Sequence, residues 1–206
     1  MISPSLTTQT PTHSIPVHVV DDDIQVLNSC GFLLSSIDIE ATLWHSASDF
    51  LAGVDTAEPA VVISDIMMPG LDGKQLQQRL LQQQSPIAMI ALTGRGEVSD
   101  AVTMLKLGAV DYLEKPISLS RLQTAIDSAF QVTQQNLEQL TANRLYLTLT
   151  DKEQQVAQKI VDGKINKVIA DEMHISNRTV EVHRSHIMEK MQAEHLSELI
   201  QKLLRI

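Results

Sequence analysis

The chain has a single cysteine, Cys30, so no intrachain disulfide can form. A reducing, cytoplasmic setting fits that usage, and Cys30 reads as a small buried apolar residue on a helix. Long hydrophobic runs are also missing. The longest, such as Ile87 to Leu92, fall far short of the roughly 20 residues that span a bilayer, which argues against a membrane partner. Met1 to Ser14 is polar and rich in Ser, Thr and Pro. It has no basic region followed by an apolar core, so it is not a secretory signal and reads as a disordered leader. Aromatics make up only 3% of the 206 residues.

An excess of positive charge is lacking too, since the formal net charge is −9. That would count against nucleic-acid binding if it were evenly spread. It is not. Residues 1–144 hold 7 Lys+Arg against 16 Asp+Glu, whereas residues 145–206 hold 9 of each and four of the seven histidines. The C-terminal part carries none of the excess and can bind an anionic partner if its cations gather on one face.

Residues 15–130 alternate short apolar runs with amphipathic stretches. The runs are Ile15–Val20, Ala41–His45, Val61–Asp65, Ile87–Leu92 and Val110–Leu113. The first, third and fourth are continuously apolar, as in strands buried on both faces. Helical spacing follows between them. Leu76, Leu80 and Leu81 share one face of a helix, and Val98, Ala101, Val102, Leu105 and Lys106 share one of another. Strand then helix, repeated five times, predicts an α/β fold: a parallel sheet with right-handed crossovers. Residues 131–146 form a Gln-rich polar stretch, an extension of the last helix or a helical linker. From 147 to 206 the chain reads as an all-α unit of four helices. Thr150 and Glu153 form a capping box, Gly163 ends the first helix, Asn166–Met173 is the second, Ser176 caps a third running to about Met191, and Leu196–Leu204 is the fourth.

The polar residues gain meaning on this map. Asp21, Asp22 and Asp23 follow the first strand, Asp65 ends the third, Thr93 follows the fourth and Lys115 the fifth. All lie at carboxyl ends of strands, where open α/β sheets bind ligands. Neighbouring carboxylates repel one another, and a hard cation such as Mg²⁺ relieves the repulsion. The carboxylate of Asp65 can then attack phosphorus, with Lys115 and the Thr93 hydroxyl stabilising the transferring group. A phosphatase using the same nucleophile wants a second Asp two residues on, and Met67 stands there. A vestigial site is the other rival, opposed by the intact acidic pair, Thr93 and Lys115.

The stretches VVDDD (19–23), SDIMMPGLDG (64–73), ALTGRGE (91–97) and DYLEKP (111–116) resemble the receiver domain of two-component response regulators over about residues 15–130. The resemblance implies a flavodoxin-like (βα)5 fold with strand order 2-1-3-4-5. It implies Asp65 as phosphoacceptor, Mg²⁺ held by Asp21, Asp22, Asp65 and the backbone carbonyl of Met67, and Thr93 with Tyr112 as a switch pair. It further implies that Lys115 bridges to the phosphoryl group and that the Lys115–Pro116 bond is cis. Arg95 stands where the family varies.

On the third C-terminal helix, Val180, Ile187 and Met191 cluster on one side, while Arg178, Glu181, Val182, Ser185 and Glu189 lie opposite. With the preceding helix and the turn at His174–Ile175 this makes a helix-turn-helix. Exposed Val182 suits a thymine methyl, and Glu181 suits cytosine N4. Lys167, Arg178, Thr179, Arg184, Ser185 and Lys190 are the further DNA contacts expected. His183 and His186 have no third ligand nearby and do not read as a metal pair. Residues 147–206 resemble the LuxR-type DNA-binding domain, with Lys152-Glu153-Gln154 where the family usually has Arg-Glu-Arg. Together the two parts resemble the FixJ/NarL class. GAVDYLEKPISLSRLQ and MEKMQAEHLSELI are similar to the tetrathionate-respiration regulators. What this implies is a signalling protein rather than an enzyme, its only chemistry its own phosphorylation and dephosphorylation. Its partners would be a sensor histidine kinase, promoter DNA, RNA polymerase, and a second copy docked through the fourth helix, fifth strand and fifth helix.

Overall fold

A computed structural model describes residues 15–94 and 98–206. The proposed leader and the residues Arg95, Gly96 and Glu97 lie outside the described residues. The described residues divide into two compact units, one up to residue 134 and the other covering 135–206.

In the first unit, β1 (Val17–Val20), β2 (Ala41–Trp44), β3 (Val61–Asp65), β4 (Ala88–Thr93) and β5 (Asp111–Glu114) form one parallel sheet in the order β2-β1-β3-β4-β5. β1, β3 and β4 are buried along their whole length, as continuous apolar runs require. Side chains alternate between two cores. Val17, Val19, Val61, Ile63, Ile90 and Leu92 pack with α1 (Ile24–Ser35) and the first part of α5 (Leu119–Tyr146). Val20, Val62, Met89 and Ala91 pack with α2 (Ala47–Gly53), α3 (Gly73–Gln82) and α4 (Val98–Lys106). Cys30 is buried in the first of these cores, and burial pushes its thiol up to about 11.

Two helix faces differ from the expectation. Leu81 points outward, and α3 buries Leu76, Gln77 and Leu80 instead. On α4 the inward residues are Ala101 and Met104, while Val102 and Leu105 are exposed. Apolar residues on two adjoining faces make the spacing ambiguous, and packing against β4 and β5 decides it.

The second unit holds the end of α5, α6 (Asp151–Val161), α7 (Asn166–Met173), α8 (Asn177–Lys190) and α9 (Leu196–Leu203). The Thr150–Glu153 capping box is present at α6, and the Ser176 hydroxyl caps α8 by accepting from the Thr179 N–H. His174 turns the chain between α7 and α8 with φ +54°. Residues 135–146 are not bare linker. Ala142 is buried, Leu145 and Tyr146 pack on the unit's core, and Glu138 pairs with Arg205 at 2.7 Å. Among the described residues, no helix is long and apolar enough to cross a membrane.

Candidate functional site

The carboxyl edge of the sheet gathers the polar residues because Asp65 and Thr93 are the last paired residues of β3 and β4, while Asp21 and Lys115 directly follow the last paired residues of β1 and β5. The Asp21 N–H donates to the Trp44 carbonyl and the Ile66 N–H to that of Leu92, while the Lys115 N–H donates to that of Thr93. These backbone bonds align the ends of β1, β3 and β5. Lys115 follows β5 through a cis peptide bond to Pro116. Its ammonium donates to Asp21 Oδ2 at 2.7 Å and to Asp65 Oδ1 at 2.5 Å. Residues 94 and 50 positions apart in the sequence thus meet at one cation.

Both carboxylates are held from their other oxygen as well. Asp21 Oδ1 accepts the Asp23 N–H at 2.9 Å, and Asp65 Oδ2 accepts the Met67 N–H at 2.8 Å. Asp21 is 1% exposed and Asp65 7%. Burial raises the Asp65 carboxyl above its ordinary range, Lys115 pulls it back, and the negative charge of Asp21 adds to the rise. Burial would lower the Lys115 ammonium, but its bonds to Asp21 and Asp65 outweigh that and raise it.

The expected trio of metal carboxylates is assembled here as a pair plus an ammonium. Asp22 is exposed at the rim, and among the described residues no three His, Cys, Asp or Glu side chains converge. Asp23 caps α1 by accepting from the Gln25 N–H at 2.8 Å. The donor set still suits a hard cation. Two buried carboxylates share one ammonium and keep one net negative charge, and Asp22 together with the Met67 carbonyl offers further oxygens. Thr93 is buried at the end of β4, and its hydroxyl donates to the Gly94 carbonyl at 3.2 Å. Tyr112 is half-buried against the α2–α3–α4 core.

Sequence reasoning missed Gly73. A Cβ there would stand 2.3 Å from the Asp65 carbonyl oxygen and 3.0 Å from Ile66 Cα, and the Gly73 N–H donates to the Ile66 carbonyl at 3.0 Å. Only a residue without a side chain lets the start of α3 approach the end of β3 this closely. Gly73→Ala is therefore expected to lower the stability of the first unit by about 2–3 kcal/mol, the usual cost of overpacking against rigid backbone. Thermal unfolding followed by circular dichroism checks this; an unchanged midpoint would show that β3 and α3 part freely.

The helix-turn-helix in the second unit presents Arg178, Glu181, Val182 and Ser185 to solvent on α8, with Val180, Ile187 and Met191 buried beneath. Lys167 is exposed on α7, Thr179 and Arg184 are half-buried, and Arg178 approaches Glu181 at 3.4 Å. Lys190, expected as a DNA contact, also has a partner within the unit. Its ammonium turns inward to the carboxylate of Glu153, 3% exposed, at 2.6 Å. Burial pushes the Glu153 carboxyl up, but the Lys190 ammonium and the Thr150 N–H and hydroxyl outweigh it and hold it down to about 2. His186 approaches the same carboxylate at 3.6 Å.

Comparison with known families matches residues 17–127 to the response regulator receiver domain and residues 147–203 to the luxR family of bacterial regulatory proteins. The chain belongs to the response regulators with a LuxR-type DNA-binding domain. It is 42% identical over 186 residues, 90% of each chain, to the tetrathionate response regulatory protein TtrR of Salmonella typhimurium. To the transcriptional regulatory protein FixJ of Bradyrhizobium diazoefficiens it is 41% identical over 194 residues, 92% of this chain and 94% of that one. Among solved structures, full-length FixJ from B. japonicum is 40% identical with a TM-score of 0.55, covering 93% of this chain and 97% of that one. The response regulator StyR is 33% identical with a TM-score of 0.64, covering 93% of this chain and 98% of that one. In this response regulator the receiver is the five-stranded unit and the output part is the helical one.

Proposed function

We propose that Asp65 of this response regulator accepts a phosphoryl group from a sensor histidine kinase and that phosphorylation makes the output unit bind promoter DNA as a dimer. The observation that supports this most is the Lys115 ammonium shared by Asp21 and Asp65 at the sheet's carboxyl edge. A carboxylate oxygen of Asp65 forms a bond to phosphorus as the bond from phosphorus to the kinase's histidine nitrogen breaks, and that nitrogen keeps the electron pair. Mg²⁺, held by Asp21, Asp22, Asp65 and the Met67 carbonyl, would neutralise charge on the phosphoryl oxygens. Lys115 is already within reach of the same oxygens and follows the charge onto them.

The Thr93 hydroxyl, which here donates to the Gly94 carbonyl, would donate to a phosphoryl oxygen instead. Tyr112 then moves into the space behind it, and the face formed by α4, β5 and α5 changes its preferred partner from solvent to a second receiver. Exposed Val102 and Leu105 on α4 suit that pairing. Dimerisation tightens DNA binding by about 10²- to 10⁴-fold through effective concentration. Arg178, Thr179, Arg184, Ser185 and Lys167 then contact phosphates and bases, with Glu181 and Val182 reading base edges. The identity to a tetrathionate response regulator supports activation of respiratory tetrathionate reductase genes, with RNA polymerase as a further partner.

DNA footprinting of the candidate promoter, with and without a small acyl phosphate donor, tests the reading. Protection at a protein concentration lower by about 10²-fold or more with the donor is expected. Identical protection in both conditions would remove the switch.

A further inference from the structure

Two side chains of α3 reach across to α4, one at each end of it. Lys74 Nζ donates to Asp100 Oδ1 at 2.7 Å in the first turn of α4. Three residues further along α3, Gln77 Nε2 donates to the Leu107 carbonyl at 2.9 Å, just past the last turn of α4. Lys74 and Asp100 are each about one-quarter exposed, whereas Gln77 is 4% exposed.

We propose that Lys74 and Gln77 form a two-point latch that holds α4 in its resting position and so sets how readily the receiver switches. The proposal rests on the reading above, in which the face carrying α4 changes on phosphorylation. The hydrophobic contacts of α4 do not by themselves explain these ties. Ala101 and Met104 already seat the helix on the core. A buried glutamine at this point of α3 is a costly way to add adhesion, because its Oε1 is buried and accepts no hydrogen bond. The Leu107 carbonyl fixes the amide's orientation, since turning it over would set two acceptors against each other.

An unsatisfied acceptor destabilises the state that contains it and leaves others favoured by comparison. The amides closest along the chain, Gly108 and Ala109, are donated to the carbonyls of Leu105 and Met104. A shift of the α4–β5 turn that frees either amide offers Oε1 a donor. A Cβ at Gly108 would lie 3.6 Å from Gln77 Nε2, so turn and amide are in direct reach of each other. Gln77 therefore ties the resting position and also supplies the acceptor that rewards leaving it. The Lys74–Asp100 pair has no such second role; it weights the resting position by charge alone. Val102 and Leu105, on the outward side of the latched helix, are the residues whose presentation it governs.

The test is self-association of the full chain, followed by sedimentation without any phosphoryl donor. Lys74→Met and Asp100→Asn are each expected to raise the association constant about three- to fivefold, the bias a partly exposed ion pair exerts on a two-state element. Gln77→Met keeps the volume but removes both the tie to Leu107 and the buried acceptor, two opposed effects, so its association is expected to move less than that of the other two variants. The exchanged pair Lys74→Asp with Asp100→Lys returns it toward wild type. Melting temperatures are recorded alongside. Lowered melting with wild-type association marks a merely structural contact and overturns the latch. Wild type treated with an acyl phosphate runs in the same series. If it fails to associate, the phosphorylation reading itself fails. If it associates while the untreated variants match untreated wild type, the latch alone fails.

Discussion

Asp65→Asn is expected to take up less than about one-hundredth of the phosphoryl group that the wild-type chain accepts from an acyl phosphate or a phosphorylated kinase. The substitution is close to isosteric, so the site around it persists. The Asn carbonyl oxygen can still accept from Lys115 or from the Met67 N–H, as Asp65 does now. What disappears is the nucleophile, because an amide oxygen carries no full negative charge to share with phosphorus. No other carboxylate can replace it in place. Among the described residues, Asp21 is the only other carboxylate on Lys115, and its two oxygens are engaged by the ammonium and the Asp23 N–H. Radiolabelled donor and gel autoradiography give the uptake. Incorporation within twofold of wild type would move the phosphoacceptor elsewhere. The same variant should lose the donor-induced gain in promoter affinity while keeping its donor-free affinity, since the helix-turn-helix is untouched.

The second large effect falls on the output unit. Lys190→Met leaves the Glu153 carboxylate buried without its ammonium partner, with only the Thr150 N–H at 2.8 Å and His186 at 3.6 Å beside it, among side chains packed around Val156 and Ile187. Breaking a buried ion pair from one side costs about 2–3 kcal/mol here, allowing for the partial exposure of Lys190. In a unit of this size that lowers the melting midpoint by about 10–20 °C. Glu153→Gln should cost far less. It preserves the capping-box geometry with Thr150 and leaves a half-exposed lysine that water can solvate. The two variants also separate on pH. The Glu153 carboxyl is held at about 2, below its ordinary value of 4.5. Its contribution is therefore complete above that ordinary value and is lost as pH falls toward 2. Wild type should lose melting temperature across that window, and Glu153→Gln should lose less. Equal slopes would remove Glu153 from the acid response.

The sheet and the site were legible because both are written in short-range terms. Val61–Asp65 reads as a buried strand ending in an acid, and Lys115-Pro116 follows the fifth run in the same way. Four such ends, those of the first, third, fourth and fifth runs, align once the strands are parallel. The faces of α3 and α4 were harder. Leu81, Val102 and Leu105 fit an inward stripe as well as Gln77, Ala101 and Met104 do, and only the neighbouring strands decide between them. The pairing of Lys190 was not legible for a different reason. Its partner Glu153 lies 37 residues away on another helix, and a basic residue at the end of a DNA-reading helix looks like a phosphate contact until that partner is placed. Gly73 gave no signal beyond its identity, because the demand comes from backbone approaching backbone.

The segment 135–146 bears on how such proteins are shuffled in evolution. The luxR-family match begins at residue 147, yet Ala142 is buried, Leu145 and Tyr146 pack on the hydrophobic cluster of that unit, and Glu138 is ion-paired to Arg205. A recombination crossover at residue 147 would graft an output module without the helical turns that cap its core. Chimeras joined near Gln135 carry a self-contained module, so inherited junctions between receivers and outputs of this kind should fall inside the long helix rather than after it.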